Sequence, residues 1–192
     1  MRKWRALLAP GILLILLMAE LGAVTLEELR SDPDLTPKRL MSKFSRFKFE
    51  LHGAVQPPEV FLATERGDCD DFATLAAMVL REKGFSTKLI TIRMPGITHV
   101  VCYVAEVGSY LDYNNRIYMR SLVKAKPDIH DIADKVAKSF DSGWTTASEF
   151  IYTNQVKVLV STVAHAESFT TLAQANAVRT NQTIVRQLDV GF

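Results

Sequence analysis

The stretch Gly67-Asp68-Cys69-Asp70-Asp71-Phe72-Ala73 opens a segment that reads GDCDDFATLAAMVLREKGF. Between Asp70 and Lys83 the apolar residues recur at helical spacing, and Gly84 follows as a helix stop signal. Cys69 therefore stands at the N-terminus of an amphipathic helix. Free main-chain N–H groups and the positive end of the helix dipole favour a thiolate there, which is the reactive form of cysteine. The stretch predicts a nucleophile at Cys69.

The next segment alternates polar and apolar residues and predicts three strands. A connecting loop of two or four residues between the second and third strands would place Asp112 opposite Val101 or His99. Side chains alternate across a strand with a period of two, so either register puts Asp112 and His99 on one face. An odd-length loop or a bulge would separate them. The predicted strands are Lys88–Met94, Ile97 to about Ala105, and Tyr110–Tyr113.

A cysteine at a helix start, followed by histidine and aspartate on adjacent antiparallel strands, is the arrangement of a thiol acyl-transfer triad. These residues resemble the transglutaminase-like superfamily, whose core carries a G-x-C-x-D-x-A type helix start, a strand histidine and a strand aspartate in that order. GDCDDFA, HVVCYV and YLDYNN also resemble the bacterial transglutaminase-like cysteine proteinases. The resemblance covers about Pro57 to Asn115. The family often has an aromatic residue just after its histidine, whereas His99 is followed by Val100.

The resemblance implies a papain-like α+β fold, in which the helix of Cys69 packs on an antiparallel sheet. It also implies a catalytic triad of Cys69, His99 and Asp112 that acts through a thioester. With water as acceptor the protein would cleave amide bonds of a protein or peptide, and with an amine it would be a transglutaminase. A catalytically idle module that binds a protein or cell-wall peptide is the third alternative, because a shared fold does not fix function.

Two further features lie beside the predicted nucleophile. Gln56 is a candidate second oxyanion donor next to the main-chain N–H of Cys69, although it also suits an ordinary loop. Asp68, Asp70 and Asp71 crowd the thiol, and acidic residues in a first helical turn commonly interact with the helix dipole. Alternatively, Asp68 and Asp70 bind a hard cation such as calcium, as some of the resembling proteinases do near this motif. No other cofactor is expected.

The N-terminal segment 1–23 has the pattern of a secretory signal peptide, with a basic start and a short apolar run. An uncleaved membrane anchor is the alternative, so the protein is expected in the periplasm or outside the cell, or attached to a membrane through this segment alone. The formal net charge of +2 comes from these residues, which contain Arg2, Lys3, Arg5 and Glu20. The remaining chain is charge-balanced, which argues against nucleic acid as a partner. The resemblance implies a protein or peptide substrate.

The rest of the chain predicts a single transglutaminase-like domain over residues 24–160 and a C-terminal helix or flexible tail over 161–192. A helix is expected to start at Pro37, and a helix over 127–140 is expected to pack on the sheet. A strand or extended segment over 46–51 is expected to place Phe47, Phe49 and Leu51 on one side, in the core. The second cysteine, Cys102, either forms a disulfide with Cys69 or, if His99 meets the thiol, points into the other layer.

Overall fold

The computed structural model of the protein describes residues 23–115, 122–154 and 156–165. The expected signal or anchor segment lies outside these residues except for its last position. The expected tail lies outside them from residue 166 onward. Within the described ranges, no helix is both long enough and apolar enough to cross a membrane.

The described helices precede and flank one main sheet. They are α1 (Leu26–Ser31), α2 (Pro37–Lys43), α3 (Pro58–Thr64), α4 (Cys69–Glu82) and α5 (Ile129–Ser139). The strands are β1 (Lys48–Phe49), β2 (Arg66–Gly67), β3 (Thr87–Met94), β4 (Ile97–Val104), β5 (Ser109–Leu111), β6 (Val123–Lys124), β7 (Thr146–Thr153) and β8 (Val156–Ala164). The last six form an antiparallel sheet in the order β6-β5-β4-β3-β7-β8, while β1 and β2 pair in parallel as a separate ribbon.

The main sheet separates two layers of core side chains. Helix α4 packs on β3 and β4 on one face, and α5 packs on β3 and β7 on the other. Because side chains alternate along β3, Leu89 joins the α4 cluster, whereas Ile90 and Ile92 join the α5 cluster. The predicted α+β fold, with the helix of Cys69 packed on an antiparallel sheet, is confirmed.

A group of aromatic rings fixes the N-terminal helices against α4. Phe72 of α4 contacts Phe44, with ring centroids 4.9 Å apart, and Tyr113, at 5.5 Å. Phe61 of α3 stacks on Phe44 at 5.8 Å, and Phe47 completes the group. All five rings are buried. Burial of an aromatic side chain stabilises a fold strongly, so this cluster holds the start of α4 firmly in place.

The prediction for residues 46–51 was wrong in part. Only Lys48 and Phe49 form a strand, and although Phe47 is buried, Phe49 and Leu51 are 57% and 78% exposed. The two-residue strand pairs only with β2 in the described residues, so no sheet extends the alternating pattern. Alternation in the sequence therefore did not correspond to burial here.

Strand β8 is one edge of the main sheet and is unusually exposed. Val156, Leu159 and Val160 are 62%, 56% and 56% accessible to solvent. The strand continues to Ala164, so the domain boundary predicted at residue 160 falls inside it. On the described part of the chain, no strand pairs with its outer edge.

Candidate active site

Helix α4 begins with a capping box that sets the position of Cys69. Asp68 is the N-cap, and its carboxylate accepts a hydrogen bond from the Asp70 main-chain N–H at 3.2 Å. In turn, the Asp71 carboxylate accepts a hydrogen bond from the Asp68 main-chain N–H at 3.1 Å, which completes the capping box. Cys69 is thus the first helical residue and is half-buried. Its own N–H has no acceptor among the described residues, so it is free to donate to a ligand.

Gln56 anchors the preceding loop to the same helix start. Its main-chain N–H donates to Asp71 Oδ1 at 2.6 Å, and its Nε2 donates to Asp71 Oδ2 at 2.8 Å and to the Arg66 carbonyl at 2.9 Å. Both amide protons are therefore engaged. The oxyanion role predicted for Gln56 would require Nε2 to leave one of these acceptors. The link between Gln56 and Asp71 did not follow from the sequence, because the two residues belong to different elements.

His99 and Asp112 form a buried pair. His99 Nε2 lies 2.9 Å from Asp112 Oδ1, and the two residues are 3% and 1% exposed. Asp112 Oδ1 also accepts from the Asn114 N–H at 2.9 Å, whereas Oδ2 is buried without a partner. The side chain of Cys69 also acts electrostatically on the His99 imidazole and raises its pKa, which places the thiol beside the ring. Because Nε2 faces Asp112, Nδ1 is the ring nitrogen left for the thiol. The three predicted residues therefore lie together.

Strand register explains the pairing of histidine with aspartate. Residues 105–108 connect β4 to β5, and Cys102 is the partner of Leu111. Asp112 follows at the level of Val101, diagonally across from His99. This is the four-residue loop considered from the sequence. Since β5 ends at Leu111, His99 has no β5 partner within the described chain.

The imidazole of His99 lies on the α5 side of the sheet, since Val101 belongs to the α5 cluster and lies two residues further along β4. The Phe140 ring after α5 packs edge-on against it, with centroids 4.9 Å apart. The sequence placed Phe140 on the apolar face of its helix, but nothing indicated which side chain it would meet. Phe140 helps to exclude water from the imidazole.

Burial alone would lower the pKa of His99, because it disfavours a charge. Hydrogen bonds to Asp112 and Cys69, and the negative charge of both groups, outweigh burial and raise the pKa of His99 to about 10. The imidazole therefore carries a proton at neutral pH. An imidazolium beside a cysteine can pair with its thiolate, and this ion pair is the form that attacks a carbonyl.

The second cysteine does not lie where the sequence placed it. Cys102 faces away from His99, as alternation requires, but it lies in the α4 cluster that Cys69 also packs against. The layer prediction was wrong because Cys69, at the start of α4, packs against the same cluster as Cys102, whereas His99 lies on the α5 side of the sheet. Both cysteines are free. Burial raises the pKa of Cys102 to about 12, so it is an inert core side chain.

Asp68, Asp70 and Asp71 form an acidic cluster beside the thiol, with one carboxylate oxygen of each within 4.8 Å of the others. Burial, a hydrogen bond to Asp68 and the charges of Asp68 and Asp71 raise the pKa of Asp70 to about 7. Burial acts in the same direction on Asp68, but hydrogen bonds from Asp70, His52 and Asp71 outweigh it and lower that pKa. Asp70 Oδ1 is buried without a partner. The cluster therefore holds a proton near neutral pH, which a divalent cation would displace.

Residues 32–114 match the family model of the transglutaminase-like superfamily. Two solved structures of LapG from Legionella pneumophila are also similar. The calcium-bound LapG is 18% identical, with a TM-score of 0.41, over 65% of this chain and 67% of that one. The EGTA-treated LapG is 14% identical, with a TM-score of 0.44, over 70% of this chain and 76% of that one. A comparison with curated proteins gives no match. The segment matched by the family model contains Cys69, His99 and Asp112.

Proposed function

Because residues 32–114 form a transglutaminase-like core, we propose that the protein is an exported cysteine hydrolase that cleaves amide bonds of proteins or peptides. One observation carries this proposal. His99 is hydrogen-bonded to Asp112 and interacts electrostatically with Cys69, which starts helix α4. A nucleophile, a base and a group that orients the base are the minimum set for nucleophilic acyl transfer.

In the proposed reaction, His99 Nδ1 already holds the proton of the Cys69 thiol, and the thiolate sulfur attacks the carbonyl carbon of the substrate. The main-chain N–H of Cys69 donates to the oxyanion of the tetrahedral intermediate. His99 then protonates the departing amine, which leaves a thioester on Cys69. His99 next takes a proton from water, the hydroxide attacks the thioester, and the acid is released as the thiol is restored. Asp112 keeps the imidazole oriented and stabilises its positive charge.

Alkylation of the purified protein with iodoacetamide tests the proposal directly. We expect Cys69 to be labelled rapidly at neutral pH and Cys102 to remain unlabelled, as read by mass spectrometry of the peptides. His99→Gln should slow labelling of Cys69 by roughly tenfold or more, because the imidazolium no longer stabilises the thiolate. Cys102→Ser is the matched control and should label like the wild type. If iodoacetamide labels Cys69 slowly and His99→Gln does not change that rate, the proposal of an enzyme is refuted and a binding module is supported.

The acceptor is tested separately with a library of internally quenched peptides and with fluorescent cadaverine. A hydrolase releases fluorescence from the quenched peptides without incorporating the amine, and Cys69→Ser abolishes this release. Incorporation of cadaverine into glutamine-containing peptides in place of cleavage would instead identify an amine-accepting transglutaminase.

The acidic cluster supports a second part of the proposal, a calcium site that includes Asp68 and Asp70. Three carboxylates offer oxygen ligands within 4.8 Å of one another, and Asp70 Oδ1 is buried with no hydrogen-bond partner among the described residues. Both carboxylate oxygens of Asp71 accept hydrogen bonds from Gln56 or Asp68. Asp71 therefore orients the loop and is a weaker candidate as a calcium ligand. A bound calcium ion would neutralise the negative charge beside Cys69. Removal of calcium with EGTA should therefore change the rate at which iodoacetamide labels Cys69.

Export is proposed from the N-terminal segment alone. We expect the mature chain to begin near residue 24 and to be found in the periplasm or the medium. N-terminal sequencing after cell fractionation measures both. A full-length chain in the membrane fraction would instead identify an anchored form.

A further inference from the structure

A cavity of about 300 Å³ opens on the α4 side of the sheet. Thr91 and Arg93 of β3 line it together with Thr98, Ser148 and Lys157 from β4, β7 and β8. The side of the sheet follows from alternation, because Leu89 on the same strand packs under α4. Among the described side chains that line it, only Leu159 is apolar, and none is a carboxylate. A polar cavity of this composition suits a ligand rich in oxygen.

The floor of the cavity contains a hydroxyl that lacks a partner. Thr91 is 7% exposed, and its Oγ1 makes no hydrogen bond to the described residues. The neighbouring hydroxyls of Ser148 and Thr162 instead satisfy one another at 2.8 Å. A buried polar atom without a partner is unfavourable unless a water or a ligand fills the site. Thr91 is thus available to donate to an oxygen atom in the cavity.

Two cations border the same cavity. Neither Arg93 nor Lys157 forms an ion pair with any described residue. Burial and the charge of Arg93 lower the pKa of Lys157, while the charge of Asp70 opposes them. The Lys157 ammonium lies 3.9 Å from the centre of the Phe150 ring, which holds it in position. Two positive charges that face a cavity without a carboxylate favour an anionic ligand.

The cavity adjoins the nucleophile. Thr98, which lines it, directly precedes His99 on β4, and Lys157 on the other side of the cavity interacts electrostatically with Cys69 and Asp70. We propose that this cavity is a substrate subsite in which Arg93, Lys157 and Thr91 bind a carboxylate of the peptide that Cys69 attacks. This inference rests on the proposed function. The carboxylate belongs either to an acidic side chain or to the C-terminus of the peptide, and both would make the same contacts.

Three thiol-reactive peptides distinguish these sources. N-iodoacetyl-Gly-Glu-amide carries a side-chain carboxylate, N-iodoacetyl-Gly-Gln carries a C-terminal carboxylate, and N-iodoacetyl-Gly-Gln-amide is neutral. The second-order rate of Cys69 labelling is measured for each and divided by the rate with iodoacetamide, so that a general change in thiol reactivity cancels. We expect at least one anionic peptide to react about tenfold faster than the neutral one, as a charge-assisted hydrogen bond predicts.

Variants assign the preference to the cavity. The double variant Arg93→Gln/Lys157→Gln should reduce the ratio of anionic to neutral labelling to about one. Thr91→Val, which keeps the shape of the side chain and removes the hydroxyl, should reduce the ratio in part. Lys124→Gln is the matched control, because Lys124 lies on β6 at the opposite edge of the sheet. It should keep the wild-type ratio.

The outcomes separate this inference from the proposed function. If iodoacetamide labels Cys69 rapidly but neither anionic peptide is preferred, or if the preference survives in the double variant, the carboxylate subsite is refuted and the hydrolase is not. If no reagent labels Cys69, the hydrolase fails. A chemical-shift titration of Cys69→Ser with acetyl-Gly-Glu-amide and acetyl-Gly-Gln-amide then still tests the cavity, because binding needs no thiol. Equal affinity for these two peptides would refute a site for a side-chain carboxylate. Equal affinity for acetyl-Gly-Gln and acetyl-Gly-Gln-amide would refute a site for a C-terminal carboxylate.

Discussion

Three neighbours determine the chemistry of His99. Asp112 accepts its Nε2 proton, Cys69 interacts electrostatically with the ring, and Phe140 covers the ring edge-on. The first two favour the imidazolium, and the third keeps water away. The sequence predicted the first two, since a connecting loop of two or four residues brings Asp112 to the face of His99 and the triad pattern adds Cys69. It could not predict Phe140, which follows helix α5 on the same side of the sheet as His99, because no local rule fixes where that helix packs.

The raised pKa of His99 makes folding stability depend on pH. The folded pKa of about 10 exceeds the ordinary value of 6.5, so the folded state holds the proton more tightly than the unfolded state does. The stabilising contribution is complete below about pH 6.5 and is lost as the pH rises through 10. We therefore expect the free energy of unfolding of wild type, relative to His99→Gln, to decrease between pH 7 and 10 in urea titrations.

The same titration in an Asp112→Asn background is the control for this prediction. Without the carboxylate the pKa of His99 should fall, so the loss of stability should occur at lower pH. A difference between wild type and His99→Gln that stays constant from pH 7 to 10 would contradict the assignment of the raised pKa.

Asp112→Asn should also reduce hydrolysis. The amide can occupy the same space but cannot stabilise the imidazolium by charge, so we expect kcat/KM to fall by about 10²- to 10⁴-fold with little change in fold. Steady-state assays with a cleaved peptide measure this. Asp128→Asn is matched in chemistry, since Asp128 caps α5 and asparagine caps helices equally well. Equal losses in the two variants would show that Asp112 has only a structural role.

At the scale of elements, the site depends on how α4 begins. The first turn of α4 is fixed by the Asp68 cap, the Asp71 carboxylate and the ring cluster around Phe72. Strands β4 and β5 place His99 and Asp112 beside it. The sequence predicted α4, β3 and β4 closely because caps and turns are local signals. It failed for residues 46–51 and for the layer of Cys102, since both depend on which elements pack together.

Gly67 is required because the chain passes very close to its neighbours just before α4. A Cβ atom at this position would lie 2.6 Å from the Phe61 ring and 2.6 Å from Asp71 Oδ2, and both of these residues are buried. Gly67→Ala should lower the free energy of unfolding by about 1–3 kcal/mol and slow labelling of Cys69, because the first turn of α4 must shift. Gly53→Ala is the control, as its Cβ would meet no atom within 4 Å. Similar stability of the two variants would refute this close packing.

At the scale of the whole molecule, a calcium site would link the acidic cluster to global stability. The pKa of Asp70 is raised to about 7, so ionisation of Asp70 lowers stability as the pH increases through 7. A cation that binds only the folded chain reverses this loss. We expect calcium to raise Tm more at pH 8 than at pH 6, as measured by differential scanning fluorimetry against EGTA.

The variant Asp70→Asn should change Tm in opposite directions in EGTA and in calcium. In EGTA at pH 8 it should raise Tm, because it removes a negative charge from the cluster. In calcium it should be less stable than the wild type, because a ligand is lost. A lower Tm in both conditions, with no response of the wild type to calcium, would leave the cluster with only its capping role.

The exposed edge strand β8 favours self-association, because an unpaired strand edge with apolar side chains can pair with another chain. Val156→Lys and Val160→Lys should reduce association, as measured by light scattering during concentration, with a change in stability below about 0.5 kcal/mol. Val60→Lys, at an exposed valine of helix α3, removes similar apolar area without altering a strand edge. It should leave association unchanged. Equal effects of all three substitutions would indicate general hydrophobicity rather than the edge.

The two cysteines have a consequence for survival in an oxidising environment. A reactive thiol that meets peroxide becomes a sulfenic acid, and a nearby second thiol normally rescues it as a reversible disulfide. Here the only other thiol of the chain, Cys102, is fully buried with its pKa raised to about 12, so it is a poor resolving partner. Further oxidation of Cys69 to sulfinic acid would be irreversible. The lifetime of the active molecule would then depend on external reductants and on how long its sulfenic form persists.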